Sequence, residues 1–572
     1  MRKARPVCSY AQFSRRIVSS TTATPLSPSP SAEAKEAPLT ARSAVSSTAS
    51  TDTATASSGA SFASDGWASG VVCCSASMGA MLPDAPTVRP CDAPRRAGGA
   101  KAMPSPAGPQ LETPGPVPEL LRIALPSVAA MVSYPLKQFV DARMVAALGE
   151  TAVAAQGNGA IVALTLLAFV MGLLSVVNTF ASQCLGAGRP TEAPAYAWNG
   201  LWLALLCAVV VGAVALAVDD VFALMGHTGA LLELESAYAR TLLLGAFFPM
   251  AARGMAYFFY GVHKPGVVLV AMVVGLVVNI GLNALLIQGR LGFPAWGIVG
   301  AGVATVAASA SELLIPLALF LSPRFDQRFH TLRSWKPSLN RLRQLWRVGW
   351  PAGLMLANEL VCWGVFMAWI IPLFGEVHNA ASWIALRYMQ LSFMPTVGLQ
   401  IAVTAVVGKR IGAGDVAGAH QRAMVGVLLG MAYMGVFALA MVLFRRPMIQ
   451  FFVTDAVPLD RAEAIVRIGS QVMIFAAVFQ VFDALGIILI GALRGAGDTL
   501  APGLLMAALA WTALVGGAAV AAHFLPRLGV AGPWSAATVY IILVGAVMAL
   551  RYRQGRWRGM SVLSPGALAS PT

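Results

Sequence analysis

Several polar side chains in this sequence stand inside long apolar stretches. An ionisable group inside a spanning helix costs about 2.5–3.5 kcal/mol on insertion scales and is by default a functional residue. Glu359 and Asp483 each lie near the middle of such a stretch, and no basic residue lies within one helical turn of Glu359 on its segment. Two carboxylates in one low-dielectric region cannot both remain charged without a cation or a proton. They offer hard oxygen ligands to Na⁺, or sites that share protons. Gln480 precedes Asp483 by three residues. It shares that helix face, and its amide oxygen is a further candidate ligand. The competing reading is a neutral Glu, hydrogen-bonded in a core.

A second group lies in the first half of the chain. Asp141 is a further carboxylate inside an apolar stretch. Lys137 stands four residues before it, on the same helical face. An ion pair between them would neutralise Asp141, and Lys137 itself is a candidate gate. Asn279 and Asn283 share a face at the same spacing and line up either as ligands or as cross-helix hydrogen bonders. Arg253 is expected to snorkel toward the membrane surface, and Glu312 to pair with an arginine. Arg387 is either an anion-attracting cavity residue or a partner of Glu359 or Asp483. Trp363, Phe366, Phe479 and Phe482 are candidate aromatic walls for an organic cation.

The elements that position these residues follow from composition. The chain has 572 residues, 57% hydrophobic and 11% charged, with a mean hydropathy of +0.70. That excludes an ordinary soluble enzyme, for which charged residues run near 25%. The net charge of +15 suits topology and an anionic lipid surface. Nucleic-acid binding is not expected, because no basic stripe is interleaved with aromatics. The seven cysteines form no CxxC and no zinc spacing. Twelve segments are long and apolar enough to span a bilayer: 119–146, 156–183, 194–217, 235–262, 265–287, 298–321, 346–373, 378–407, 418–444, 462–492, 500–523 and 530–551. The resulting division is a tail over 1–118, a six-helix lobe over 119–321, a linker over 322–345, a second lobe over 346–551 and a basic tail over 552–572. The first hundred residues hold 27 Ser or Thr and are expected to be disordered. They read as a start assigned too far upstream (Met78, Met81 or Met103 being nearer the true one), as a transit peptide, or as a functional tail. Seventeen Lys or Arg flank the segments on the terminus-bearing side against seven opposite, which places both termini in the cytoplasm.

The halves repeat. Gly149-Glu150 recurs as Gly375-Glu376, Gly186-Ala187-Gly188 as Gly412-Ala413-Gly414, and Gly200 as Gly426, all at one constant offset. Leu125-Pro126 recurs as Trp350-Pro351 at an offset shorter by a single position. Six helices per repeat start both halves on the same membrane face, so the expected fold is all-α, two six-helix bundles related by a pseudo-twofold axis along the membrane normal.

Together these motifs resemble the multidrug and toxic compound extrusion (MATE) transporters of the NorM-like branch, over about 119–551. The carriers are Pro126 with Phe139-Val140-Asp141, the two Gly-Ala-Gly turns, Asn279-Ile280-Gly281-Leu282-Asn283, Pro351 with Asn358-Glu359, and Gln480-Val481-Phe482-Asp483 followed by Leu493-Arg494-Gly495-Ala496-Gly497-Asp498-Thr499. The resemblance implies a secondary antiporter of the plasma (inner) membrane that exports amphipathic, cationic organic compounds. Na⁺ or H⁺ is then the coupling ion at Glu359, Asp483, Asp141 and Gln480, with no other cofactor. It implies small organic substrates in a cavity near Asn279, Asn283, Trp363, Phe479, Arg387 and Lys137, contact with membrane lipids, and a monomer. Some relatives carry Asp where Asn283 stands, which weakens a proton site in the first half. The alternatives are a lipid-linked saccharide flippase and, far behind, an intramembrane enzyme. No His-based acid/base set stands at membrane depth, so no catalytic residue is expected.

Overall fold

The computed structural model describes residues 115–453 and 458–563. The expected disordered tail therefore lies outside the described residues except for its last four positions. All regular structure among the described residues is helical. The spans are α1 (Pro116–Leu148), α2 (Glu150–Gly186), α3 (Pro190–Leu224), α4 (Gly229–Leu244 with Phe247–Gly261), α5 (Pro265–Leu286), α6 (Gly297–Phe320), α7 (Leu339–Phe374), α8 (Glu376–Gly412), α9 (Val416–Leu443), α10 (Leu459–Ala496), α11 (Leu500–Phe524) and α12 (Ala531–Arg553). Helix α4 bends by 46°. At the bend Gly245 presses against Val306 of α6, with no room for a Cβ. Helix α7 begins at Leu339, inside the stretch expected to be linker. Its first turns are amphipathic, with Leu339, Leu342 and Leu345 interleaved with Arg341 and Arg343, so they extend the span out of the apolar layer.

Each half has its own apolar core. The first is built around Leu174, Phe180, Met250, Phe258 and Phe320, the second around Phe366, Met473, Leu489, Trp534 and Tyr540. Two helix starts cross over. Leu120 and Ile123 of α1 pack in the second core, and Leu345 and Ala352 of α7 pack in the first. Leu120 and Leu345 stand at the same separation as Pro126 and Pro351, so the exchange itself obeys the repeat.

Glycines make the seam between the lobes. A Cβ on Gly186 would overlap the Lys409 carbonyl, and a Cβ on Gly412 would overlap the Gln183 carbonyl. The repeat that relates Gly186 to Gly412 also relates Gln183 to Lys409. Gly172 likewise lies against Ala352 and Gly353, while Gly398 lies against Ser127 and Val128. The sequence repeat is thus a pseudo-twofold in space, and it brings backbones together where only small residues allow it.

Polar contacts between the lobes among the described residues all lie in the half of the bundle that carries residues 115 and 563. Asn178 Nδ2 donates to Ile401 O at 3.1 Å, Thr179 Oγ1 to Arg494 O at 2.9 Å, and Gln183 Nε2 to Gly495 O at 2.9 Å. A buried triad closes the same end. Glu119 Oε2 on α1 accepts from Arg410 Nη2 and from Arg422 Nε, each at 2.7 Å. The described residues of the opposite half make no such links.

Candidate functional site

In the second lobe, α7 presents Glu359 and, one turn on, Trp363. Each oxygen of Glu359 accepts one hydrogen bond, from Trp363 Nε1 at 2.8 Å and from the Tyr540 hydroxyl of α12 at 2.6 Å. Trp363, Phe366 and Trp534 pack around it, with ring centroids 5.4–6.4 Å apart. Beyond this cluster α7 widens into a π turn, Phe366–Ile370, ahead of Pro372. Such turns shift helix register and recur at functional sites. Asp483 on α10 is half-buried, and among the described residues its carboxylate has no hydrogen-bond or ion-pair partner. It lies close enough to Glu359 for the two carboxylates to repel. No Lys or Arg among the described residues neutralises either one. The arrangement attracts a cation or protons.

Other expected members of this group lie elsewhere. The Gln480 amide donates to Ser392 Oγ at 2.6 Å and reaches Met441 Sδ, in the seam with α8 and α9. A step of three residues falls short of a full helical turn, so its direction departs from that of Asp483. Phe479 is 2% exposed and belongs to the second core, not to a cavity wall. Arg387 is exposed and lies over the Phe452 ring at 5.7 Å. It pairs with neither carboxylate, so the second lobe keeps its uncompensated negative charge.

The first lobe encloses a cavity of about 390 Å³ lined by α1, α2, α4, α5 and α6. Asp141 forms part of its wall and accepts from Asn283 Nδ2 at 2.5 Å; the same amide reaches Asn279 Oδ1 at 3.3 Å. Asn279 Nδ2 and Asn283 Oδ1 are buried without partners. Lys137 does not pair with Asp141. Its Nζ lies 3.3 Å from Glu312 Oε1 on α6. Two features explain the exchange. Gly275 of α5 has no Cβ and leaves the space that the Glu312 carboxylate fills, while Asp141 is already served by Asn283. Glu312 therefore pairs with a lysine instead of an arginine. Arg253 does not reach for the membrane surface but lines this cavity beside Tyr134 and Glu312.

Tyr540, Trp534 and the Glu119 triad were not legible in the sequence. A tyrosine in the middle of an apolar span was the one available signal for Tyr540. The triad joins residues from opposite halves of the chain, and nothing local marks it.

The MatE family model matches residues 126–285 and again 351–519, starting at the two prolines that the repeat superposes. The chain belongs to the MatE family. This MatE chain is similar to a probable multidrug resistance protein NorM of Pseudomonas putida, 31% identical over 66% of this chain and 82% of that protein. Multidrug resistance protein MdtK of Pectobacterium atrosepticum is 29% identical over 76% and 94%. Among solved structures, a MOP superfamily transporter from Pyrococcus furiosus aligns with a TM-score of 0.70 at 25% identity, covering 78% of this chain and 97% of that one. A MATE structure in complex with MaL6 aligns at 0.69 and 25%, covering 77% and 97%. The MatE chain is a multi-pass membrane protein of a transporter family.

Proposed function

We propose that this chain is a secondary antiporter that exports amphipathic, cationic organic compounds in exchange for Na⁺ or H⁺ by alternating access. The observation that carries the reading is the Glu359–Asp483 pair, two carboxylates in the second lobe without a counter-cation among the described residues. Their oxygens suit a hard cation: Glu359 uses one acceptor site per oxygen on Trp363 and Tyr540, and Asp483 uses none among the described residues. Those two residues would hold Na⁺ if sodium is the coupling ion, or protons otherwise. Asp141 with Asn279 and Asn283 supplies a second polar locus in the first lobe, and Trp363 offers an aromatic face to an organic cation.

In the state described, the terminus-bearing end is sealed by the Glu119 triad and the glycine seam. With both termini in the cytoplasm of an inner-membrane protein, this is the outward-open state. A cation entering from outside neutralises Glu359 and Asp483, favours release of the exported compound and biases the lobes toward inward opening. Compound binding from the cytoplasm reverses the bias. The coupling is the difference in each ligand's affinity for the two states, and it is reciprocal. Each positive charge moving inward gains about 2.3 kcal/mol per 100 mV.

The test is efflux of a fluorescent organic cation from proteoliposomes under a Na⁺ gradient and a pH gradient, imposed separately. Transport driven by one of them supports the reading and names the ion. Folded protein that moves the dye under neither would overturn it.

A further inference from the structure

The first-lobe cavity holds four charged side chains, and the protein answers three of them. Lys137 and Glu312 pair at 3.3 Å, and Asp141 takes the Asn283 amide at 2.5 Å. Arg253 is the fourth. Among the described residues no acceptor lies within hydrogen-bond or ion-pair reach of its guanidinium. Its electrostatic neighbours are the phenols of Tyr134, Tyr257 and Tyr260 and the Glu312 carboxylate that Lys137 already holds. The Tyr260 hydroxyl is itself buried without a partner.

An unanswered guanidinium at this depth is costly. Arg253 stands two helical turns before the end of α4, about 12 Å along the axis. Its planar fork of donors matches the two oxygens of a carboxylate. Apolar side chains make much of the lining, Leu167, Met171, Leu242 and Met272 among them. One cavity therefore offers both a guanidinium and a carboxylate within a partly apolar lining.

We propose that this cavity selects amphiphiles bearing a carboxylate, which Arg253 holds, with the apolar body along α2 and any basic group toward Asp141. The proposal rests on the exporter reading and narrows its substrate class to organic cations that also carry a carboxylate.

The test uses two dyes that differ in that group alone, rhodamine B with its free carboxylate and rhodamine B ethyl ester. Fluorescence anisotropy would give their affinities for the full chain in phosphatidylcholine nanodiscs. A charge-assisted contact of this kind is worth about ten- to a hundredfold in affinity. Wild type is expected to favour rhodamine B over the ester by at least about tenfold, and Arg253→Gln to bring the ratio near one. Arg253→Lys keeps the charge without the fork and should give an intermediate ratio, which serves if the Gln variant does not fold. A wild-type ratio near one, or a ratio that Arg253→Gln leaves intact, would overturn the proposal. A second arm replaces part of the lipid with phosphatidylglycerol. If that abolishes rhodamine B binding, the guanidinium serves a lipid phosphate and the proposal of a dissolved carboxylate falls. Gradient-driven transport of both dyes is scored separately. A wild type that prefers rhodamine B but moves neither dye upholds the site and refutes the exporter reading alone.

Discussion

Glu119→Gln is expected to loosen the sealed end of the bundle. One oxygen of Glu119 accepts from two guanidinium groups at 2.7 Å, and Glu119, Arg410 and Arg422 are 5–7% exposed. Removing one partner of a buried ion pair costs about 3–5 kcal/mol, because the remaining charge is left unanswered. Here Asp415 still offers Arg410 an oxygen at 3.2 Å, so the lower figure applies. If the start of α1 leaves the second lobe in the inward-open state, the arginines there regain water, and the loss falls on the sealed state alone. About 3 kcal/mol then shifts the equilibrium toward opening by roughly a hundredfold. Ser182 reports this. It is fully buried against Gly408 across the seam. In a background lacking the seven native cysteines, Ser182→Cys should react with a water-soluble thiol reagent roughly a hundred times faster when Glu119→Gln is added. An unchanged rate in a folded protein would show that this triad does not hold the gate.

Gly186→Ala and Gly412→Ala place a methyl group on carbonyls related by the pseudo-twofold, so both should raise labelling at Ser182→Cys to similar extents. Gly266→Ala, with open space around it, should not. Tyr540→Phe withdraws one of the two donors to Glu359 and should lower stability by about 1–3 kcal/mol. It should also change the half-saturating coupling-ion concentration severalfold in a transport assay. Asn283→Ala leaves Asp141 without its donor and should cost a similar amount, read by thermal unfolding. His263 lies between α4 and α5, with Nε2 3.2 Å from Ala405 O across the seam. Burial and the nearby Lys409 ammonium pull its imidazole down from 6.5 to about 4. The folded protein holds it neutral, so its contribution is complete above about pH 6.5 and is lost as the pH falls toward 4. That is about 3 kcal/mol, and His263→Asn should flatten this part of the stability–pH curve.

The spans and their repeat were legible because bilayer thickness fixes helix length, and because backbone contact at Gly186 and Gly412 tolerates no other residue. The pair Glu359 and Asp483 was legible because a carboxylate in an apolar run is rare. What failed was the choice of partner. Spacing places Lys137 and Asp141 on one face, but the pairing was decided by Gly275, which makes room for Glu312 on another helix. Gln480 stands close to Asp483 along α10, yet its amide is taken up by Ser392 and Met441 in the seam of α8 to α10, and Phe479 is buried in the second core. The extension of α7 from Leu339 was hidden because its charged turns read as linker. Arg253 was visible as a charge, but its lack of a partner is a property of space alone.

In the proposed mechanism Glu359 and Asp483 bind the coupling ion. The most direct measurement is counter-movement of that ion, as radioactive Na⁺ or by a pH-sensitive dye inside the vesicle, during export of an organic cation by wild type, Glu359→Gln and Asp483→Asn. Ion entry is expected to be coupled to export in wild type and lost in both variants, while both still bind the organic compound. Ion entry that persists at the wild-type ratio in either variant would contradict it.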